Sequence, residues 1–133
     1  MLPSKTAQQR LARSLFKNLP FTPLDVHYAE AHGTGTKAGD DVEMSTIRNV
    51  FCEGRGDQNP IFVGATKPNL GHSEAASGVA GLIKTVMAME KGMIPPNILL
   101  ERFKPGLEPD GKTLKVSLAQ GIKTSAYLTV KCA

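Results

Sequence analysis

The sequence has no tryptophan, only two tyrosines and two cysteines, and no apolar run of about 18 residues in its 133 positions. Each shortage excludes a class of protein. Without an apolar run of that length, no helix is expected to span a membrane. With so few large aromatic rings, stacking platforms for nucleic-acid bases are poorly supplied. Cys52 and Cys132 lie far apart, which is neither a disulfide framework nor a metal signature, so a reducing, cytoplasmic setting is the default. Acids are missing from the start of the chain: Lys5, Arg10, Arg13 and Lys17 all precede the first acid, Asp25. These four bases account for the net charge of +4, and the remainder is balanced, so a nucleic-acid-binding surface is not expected. The basic start has the composition of a transit peptide, but a solvated amphipathic helix accounts for it better. The composition of the whole chain, 41% hydrophobic and 21% charged, is ordinary for a globular protein.

Residues 6–19 are predicted to be helical. Thr6 and Gln9 have capping-box spacing, Leu11, Leu15 and Leu19 recur every four residues, and Pro20 and Pro23 end the segment. Leu24, Val26 and Tyr28 alternate with Asp25 and His27 as in a short strand. After the loop His32-Gly33-Thr34-Gly35-Thr36, Asp40 and Glu43 are spaced as an N-cap box for a second helix with Val42, Ile47, Val50 and Phe51 buried. Residues 54–60 read as a polar turn and 61–65 as a buried strand. Residues 67–74 read as a turn leading into a helix over about 73–91. Ala75-Ala76-Ser77-Gly78-Val79-Ala80-Gly81 is made of small residues. Each Gly there costs about 1 kcal/mol of helix propensity, which a helix tolerates where a neighbouring backbone comes very close. Leu82, Ile83, Val86 and Met87 are expected in the core, and Gly92 is placed to end the helix. Pro95-Pro96-Asn97 is an extended connector. Leu114, Val116 and Leu118 form a strand, and residues 125–131 a further one. This alternation argues for an α/β layer arrangement, with the small-sided apolar helix held between two sheets.

Four chemistries fit parts of this pattern. Gly33-x-Gly35-x-x-Ala38 has the outline of a relaxed dinucleotide loop, with Glu53 near the place of a ribose-binding acid. Against it, the helix is expected to start only at Asp40, and an anionic cap repels a pyrophosphate. Gly71-x-Ser73-x-Ala75 has the outline of a hydrolase elbow, but five residues separate it from the strand and no His follows Ser73. His27, His32, His72 and Cys52 have no familiar metal-ligand spacing. The fourth is a histidine pair. His32 ends the segment after the first strand, and His72 ends the segment after the second. If those strands are neighbours in one sheet, their C-terminal loops share an edge and the two imidazoles can meet. Two neutral imidazoles can each donate an N–H to one carbonyl oxygen, and Lys67 adds positive charge near a developing anion. Composition alone does not choose this reading, because a lone histidine is more often structural.

Two motifs do choose it. Glu30-Ala31-His32-Gly33-Thr34-Gly35-Thr36, followed by Gly39-Asp40 and Glu43, resembles the first histidine motif of β-ketoacyl synthases. Lys67-Pro68-Asn69-Leu70-Gly71-His72-Ser73-Glu74-Ala75-Ala76-Ser77-Gly78 is similar to their lysine and second-histidine motif. The wording is most like the ketosynthase domains of multidomain (type I) polyketide synthases, and the resemblance covers roughly residues 6–116. It implies an α/β fold of the thiolase-like kind, a layered αβαβα sandwich with only the C-terminal portion present, homodimeric in the intact parent. It implies a decarboxylative Claisen condensation of the kind used in polyketide and fatty acid biosynthesis. A cysteine holds the growing acyl chain, and a malonyl-type unit on an acyl carrier protein loses carbon dioxide to become the attacking enolate. His32 and His72 would donate hydrogen bonds to the extender thioester carbonyl, and Lys67 would support them electrostatically. Thr34 and Thr36 match positions that bond the phosphopantetheine arm, which the carrier protein brings; no cofactor is bound directly. A Lys67–Glu74 ion pair is a further implication.

Two departures qualify the resemblance. The family's cysteine elbow has no counterpart, and Cys52 reads as a small buried apolar side chain. The family's Gly-rich loop containing Phe is also missing, and residues 117–133 are unlike the family. The expected organisation is therefore a partial ketosynthase C-terminal domain at 1–116 and a divergent or truncated tail at 117–133. The expected function is a ketosynthase fragment that is inactive without the missing N-terminal half. The alternatives are a non-enzymatic remnant or carrier-protein-binding module and, more remotely, a nucleotide-binding oxidoreductase fragment. Half of a layered sandwich is expected to leave a sheet edge and a helix face uncovered, favouring aggregation or a partner.

Overall fold

The computed structural model describes residues 3–118 and 121–123. Helix α1 (Lys5–Leu15) is capped by Ser4, whose hydroxyl accepts the Ala7 N–H at 3.3 Å, so the cap lies before the expected Thr6. A single 3-10 turn, Phe16–Asn18, follows it. Leu11, Leu15 and Leu19 are exposed, so their four-residue repeat does not mark a buried stripe. The helix is joined to α2 (Lys37–Phe51) by the ion pairs Lys5–Asp41 and Arg13–Glu53 and by an edge-on contact of the Phe16 and Phe51 rings. Exposed ion pairs of this kind contribute little.

Strand β1 runs over Tyr28–Glu30, later than the alternation from Leu24 predicts. Thr22 and Asp25 explain the shift. The Thr22 N–H and hydroxyl both donate to Asp25 Oδ2, at 2.8 and 2.9 Å, closing a 3-10 turn over Pro23–Asp25. Local side-chain bonds of this kind compete with the sheet ladder. Strand β2 (Ile61–Gly64) is buried throughout, as its apolar run predicts. It pairs in parallel with β1 on one side and with β4 (Leu114–Val116) on the other, giving the order β1-β2-β4. A separate two-stranded ribbon joins β3 (Met93–Ile94) to β5 (Ile122–Lys123).

The period-2 alternation of strands sorts the two faces of the sheet. Ala29 and Ala31, with Ile61, Val63, Leu114 and Val116, pack against Met44, Ile47 and Phe51 of α2. Tyr28 and Glu30 point the other way, to Lys84 of α4 (Ser77–Glu90). The sheet is thus the middle of three layers, with α2 on one face and α4 on the other. Gly64 is needed on the α4 face: a Cβ there would lie 2.5 Å from the Tyr28 hydroxyl and 2.8 Å from Lys84 Nζ.

Several expectations fail for identifiable reasons. Helix α4 starts at Ser77 rather than near 73, because a short helix α3 (Lys67–Leu70) and a 3-10 turn (Glu74–Ala76) take the intervening residues. Of the small residues at 75–81, Gly81 is buried and meets the Glu30 side chain, whereas Ala75, Ala76 and Gly78 are exposed, and Leu82 (64% exposed), Ile83, Val86 and Met87 are not core. Among the described residues no layer covers that face. Residues 54–60 are more than a polar turn. Buried Arg55 donates to the carbonyls of Phe51, Asn59, Pro23 and Val26 at 2.7–2.9 Å, tying the end of α2 to the loop before β1. Cys52 caps α2, half-buried, and burial pushes its thiol up despite the Thr113 hydrogen bond and the Arg55 charge. Gly92 ends α4 as expected, at φ +59° with its N–H on the Met89 carbonyl. Leu118 lies beyond β4, and the strand predicted at 125–131 falls outside the described residues.

These layers predict unequal responses to truncation. Ile61→Ala empties a side chain that is 0% exposed and is expected to cost about 2–5 kcal/mol in urea unfolding. Leu82→Ala is expected to change stability by less than about 0.5 kcal/mol. Paired lysines at 82 and 83 should raise soluble yield and reduce binding of an apolar dye, with the melting temperature unchanged.

Candidate active site at the histidine edge

The parallel pairing of β1 and β2, with Glu30 opposite Gly64, brings both chain exits to the same sheet edge. The Ala31 N–H donates to the Gly64 carbonyl at 2.7 Å and ends the ladder. Gly33 then turns the chain at φ +51°, pressed so closely on β2 that a Cβ would lie 2.6 Å from that of Ala65. The Glu43 carboxylate fixes the loop from α2 by accepting the N–H groups of His32 (2.5 Å) and Gly33 (2.9 Å). Asp40 accepts the Gly35 N–H at 3.1 Å through one oxygen and pairs with Lys104 at 2.8 Å through the other.

This geometry corrects one step of the sequence argument. Helix α2 starts at Lys37, inside the glycine motif, and Asp40 lies within its first turn rather than capping it. The case against a dinucleotide loop rests instead on the amides. The N–H groups of His32, Gly33 and Gly35, which would have to face a pyrophosphate, are taken by two carboxylates.

On the other exit, Asn97 and Asn69 hold the chain. Asn97 is buried; its Oδ1 accepts the Ala65 N–H at 3.1 Å and its Nδ2 donates to the Ser117 carbonyl at 3.0 Å. Asn69 Nδ2 donates to the Pro96 carbonyl at 2.8 Å. Gly71, at φ +81°, reverses the chain after α3, and His72 follows. The Glu74 N–H donates to His72 Nδ1 at 2.9 Å, so the imidazole caps its own turn. Glu74 has φ +47°, the only positive value at a non-glycine position among the described residues. Such a conformation costs roughly 1–2 kcal/mol.

The His32 and His72 rings meet with centroids 5.8 Å apart and planes at 90°. Both are exposed at the edge. Lys67 Nζ lies 3.1 Å from His32 Nδ1. An ammonium can only donate, so Nδ1 of His32 is the acceptor, and the neutral ring carries its proton on Nε2. His72 reaches the same tautomer through the Glu74 amide. Among the described residues each neutral ring therefore has a free Nε2–H. Lys67 turns to His32 and makes no ion pair with Glu74. Thr34 and Thr36 follow His32 on the same loop, their hydroxyls 3.2 Å apart; Thr36 precedes α2 without giving it a side-chain cap. The expected site residues 32, 34, 36, 67 and 72 thus share one edge.

Ser73 is not on a hydrolase elbow, since α3 separates it from β2. A cavity of about 250 Å³, lined by Ala31, Gly33, Met44, Val63, Phe103 and Leu107, lies under the loop on the α2 side. Among the described residues no group of three or more His, Cys, Asp or Glu could hold a metal ion, and no helix is long and apolar enough to cross a membrane.

Comparison with known proteins gives the family. The profile of the β-ketoacyl synthase C-terminal domain matches residues 1–101. The highly reducing polyketide synthase sdnO of Sordaria araneosa is 49% identical over 115 residues, which is 86% of this chain and 4% of that protein. The reducing polyketide synthase pksF of Alternaria solani is 49% identical over 117 residues, 87% of this chain and 5% of that protein. Among solved structures, the ketosynthase from module 1 of the bacillaene synthase of Bacillus amyloliquefaciens FZB42 superposes with a TM-score of 0.80 at 32% identity, covering 92% of this chain and 22% of that one. The oxazolomycin ketosynthase domain OzmH KS7 of Streptomyces albus JA3453 gives 0.79 at 29% identity, covering 92% and 21%. The chain belongs to the β-ketoacyl synthase family, as a piece of the C-terminal portion of a type I polyketide synthase ketosynthase. Its fold is the C-terminal portion of the thiolase-like ketosynthase fold. It spans only a small fraction of these relatives.

Glu43→Ala is expected to free the His32 and Gly33 amides. A hydrogen bond to a charged group is worth about 1.5–3 kcal/mol, so hydrogen exchange at those two amides should accelerate by at least about tenfold, with β2 protection retained.

Proposed function

We propose that this chain supplies the enolate-stabilising half of a ketosynthase site. Residues 1–116 are the partial C-terminal domain and residues 117–133 a divergent or truncated tail, of which Ser117 and Ile122–Lys123 still contact the domain. The observation that carries this reading is the pair of perpendicular rings, each with Nδ1 engaged and Nε2–H free. A malonyl-type thioester carbonyl placed between them would receive two hydrogen bonds, with the Lys67 charge close behind. Cleavage of the bond to the carboxylate releases carbon dioxide. The electron pair moves onto the thioester oxygen, where preorganised donors hold the enolate without protonating its carbon. The enolate carbon then attacks an acyl thioester, and the thiolate of that ester leaves.

The acyl thioester must come from a cysteine on another part of the ketosynthase. Cys52 does not fill this role: it sits at the C-terminal end of α2, away from the His32 loop at the other end, and its thiol is pushed up by burial. The Thr34 and Thr36 hydroxyls suit the phosphopantetheine arm of an acyl carrier protein: Thr36 makes no helix cap, and both lie on the loop that begins at His32. The apolar face of α4 fits burial in the complete ketosynthase, which we take to be a homodimer. A second reading, a carrier-protein-binding module without catalysis, draws on the same threonines together with the absence, among the described residues, of a cysteine at the histidine edge.

The test is reconstitution. The chain alone, given acyl- and malonyl-loaded carrier protein, is expected to yield no ketoacyl product; product from the chain alone would sink the reading. Mixed with the remaining part of a related ketosynthase, it should restore condensation. His32→Ala or His72→Ala should then lower kcat by about 10²–10³, the usual loss for one oxyanion donor. Carrier binding with no turnover in the mixture would favour the module reading.

A further inference from the structure

Glu30 stands where the segments carrying His32, Lys67 and His72 come together. It ends β1, two residues before His32. Its Oε1 accepts both the N–H (2.8 Å) and the hydroxyl (2.6 Å) of Thr66, the residue before Lys67. Its Oε2 accepts from Lys84 Nζ at 2.6 Å and from the Tyr28 hydroxyl at 2.5 Å. Lys84 lies on α4, the helix that follows the His72 turn, and its ammonium also bonds the Tyr28 hydroxyl and sits 4.9 Å from the centre of that ring. Two glycines make the space. Gly64 admits Tyr28 and Lys84, and at Gly81 a Cβ would approach Glu30 Cγ to 3.2 Å.

We infer that Glu30 is a positioning residue: one carboxylate that fixes the Thr66–Lys67 segment through one oxygen and α4 through the other, and so holds Lys67 and His72 against His32. What the positioning is for rests on the enolate reading above; the positioning itself does not.

Stability alone does not explain this arrangement. The Glu30–Lys84 pair is the most enclosed ion pair among the described residues, with side chains 20% and 15% exposed. Desolvation offsets most of the attraction in such pairs, and an apolar pair of similar volume serves equally well to hold a helix. An apolar pair cannot also accept two hydrogen bonds from Thr66. The four donors around the carboxylate define one register for three segments, which is the best-attested use of a buried polar group. Burial works to raise the Glu30 carboxyl, but the hydrogen bonds from Lys84, Thr66 and Tyr28 and the Lys84 charge hold it below the usual carboxylate range. Burial and Glu30 push the Tyr28 hydroxyl well up, so it stays a neutral donor.

The test needs no thioester. In the full chain, labelled at histidine, the inter-ring cross-peak between His32 and His72 reports their contact, and the ring nitrogen signals report the tautomers. Glu30→Gln leaves one acceptor oxygen for two sets of donors, so it is expected to abolish the cross-peak while circular dichroism still shows the helices. Glu30→Gln with Lys84→Gln, a complementary amide pair, should restore it. Gly81→Ala keeps every group and gains helix propensity, yet presses on Glu30. It should shift both histidine ring signals with no fall in melting temperature, and it decides the matter alone if Glu30→Gln unfolds. Val50→Ala, a destabilising change in the α2 core, should keep the cross-peak. Unchanged ring signals in both Glu30→Gln and Gly81→Ala would overturn the inference, as would an equal loss in Val50→Ala. A cross-peak that behaves as expected beside a reconstituted site indifferent to His32→Ala would count against the enolate reading and leave the role of Glu30 standing.

Discussion

The 2.7 Å bond from the Ala31 N–H to the Gly64 carbonyl closes the ladder between two parallel strands, and the geometry of the histidine edge follows from it. Parallel neighbours send their chains out at the same end. An antiparallel pair of the same three residues would separate the two exits by about 10 Å, too far for the rings to touch. A slip of one residue would also exchange the faces, placing Glu30 in the apolar layer beside α2 and Ala29 against Lys84. The pairing therefore fixes two properties together: where the imidazoles emerge, and which face of β1 carries charge.

Around that edge the carboxylates share a common orientation. Glu30, Asp40 and Glu43 each turn toward backbone amides or a lysine ammonium and are occupied there. The ring nitrogens follow a similar scheme, since an ammonium and a backbone amide occupy the two Nδ1 atoms. The polarity of the open edge is thus set by donors. On the proposed reading this suits a substrate oxygen that gains negative charge as the reaction proceeds, because the donors need no rearrangement at that moment.

Much of this was legible in the sequence. The apolar run at 61–65 contains β2, the α2 face at Val42, Ile47 and Val50 is buried, and the two histidine motifs lie after neighbouring strands. The misreadings have local causes. The alternation from Leu24 failed because Asp25 satisfies Thr22 and diverts the chain into a 3-10 turn. Asp40 and Glu43 have the spacing of a cap box, but spacing does not reveal that both carboxylates reach back to the preceding loop. Leu82 and its neighbours read as core because apolar periodicity marks a face suited to burial, and it does not say whether the covering layer lies in the same stretch of chain. Arg55 left no pattern signal, because its four partners are carbonyls, which every residue has. Glu30 was read only as a letter of a motif; its contacts with Thr66 and Lys84 depend on a crossover that no local pattern encodes.

The two glycines facing the Tyr28–Glu30–Lys84 group have a consequence for how this chain can change over time. Positions 28, 30, 64, 81 and 84 share one small volume: a side chain gained at 64 or 81 removes space that the phenol, the carboxylate or the ammonium now fills. A methyl group accepted at either glycine therefore requires a shorter partner across the sheet. Divergence at these five sites is expected to come as joint replacements, recorded in descendants as covariation between a strand end and a helix far apart in the chain.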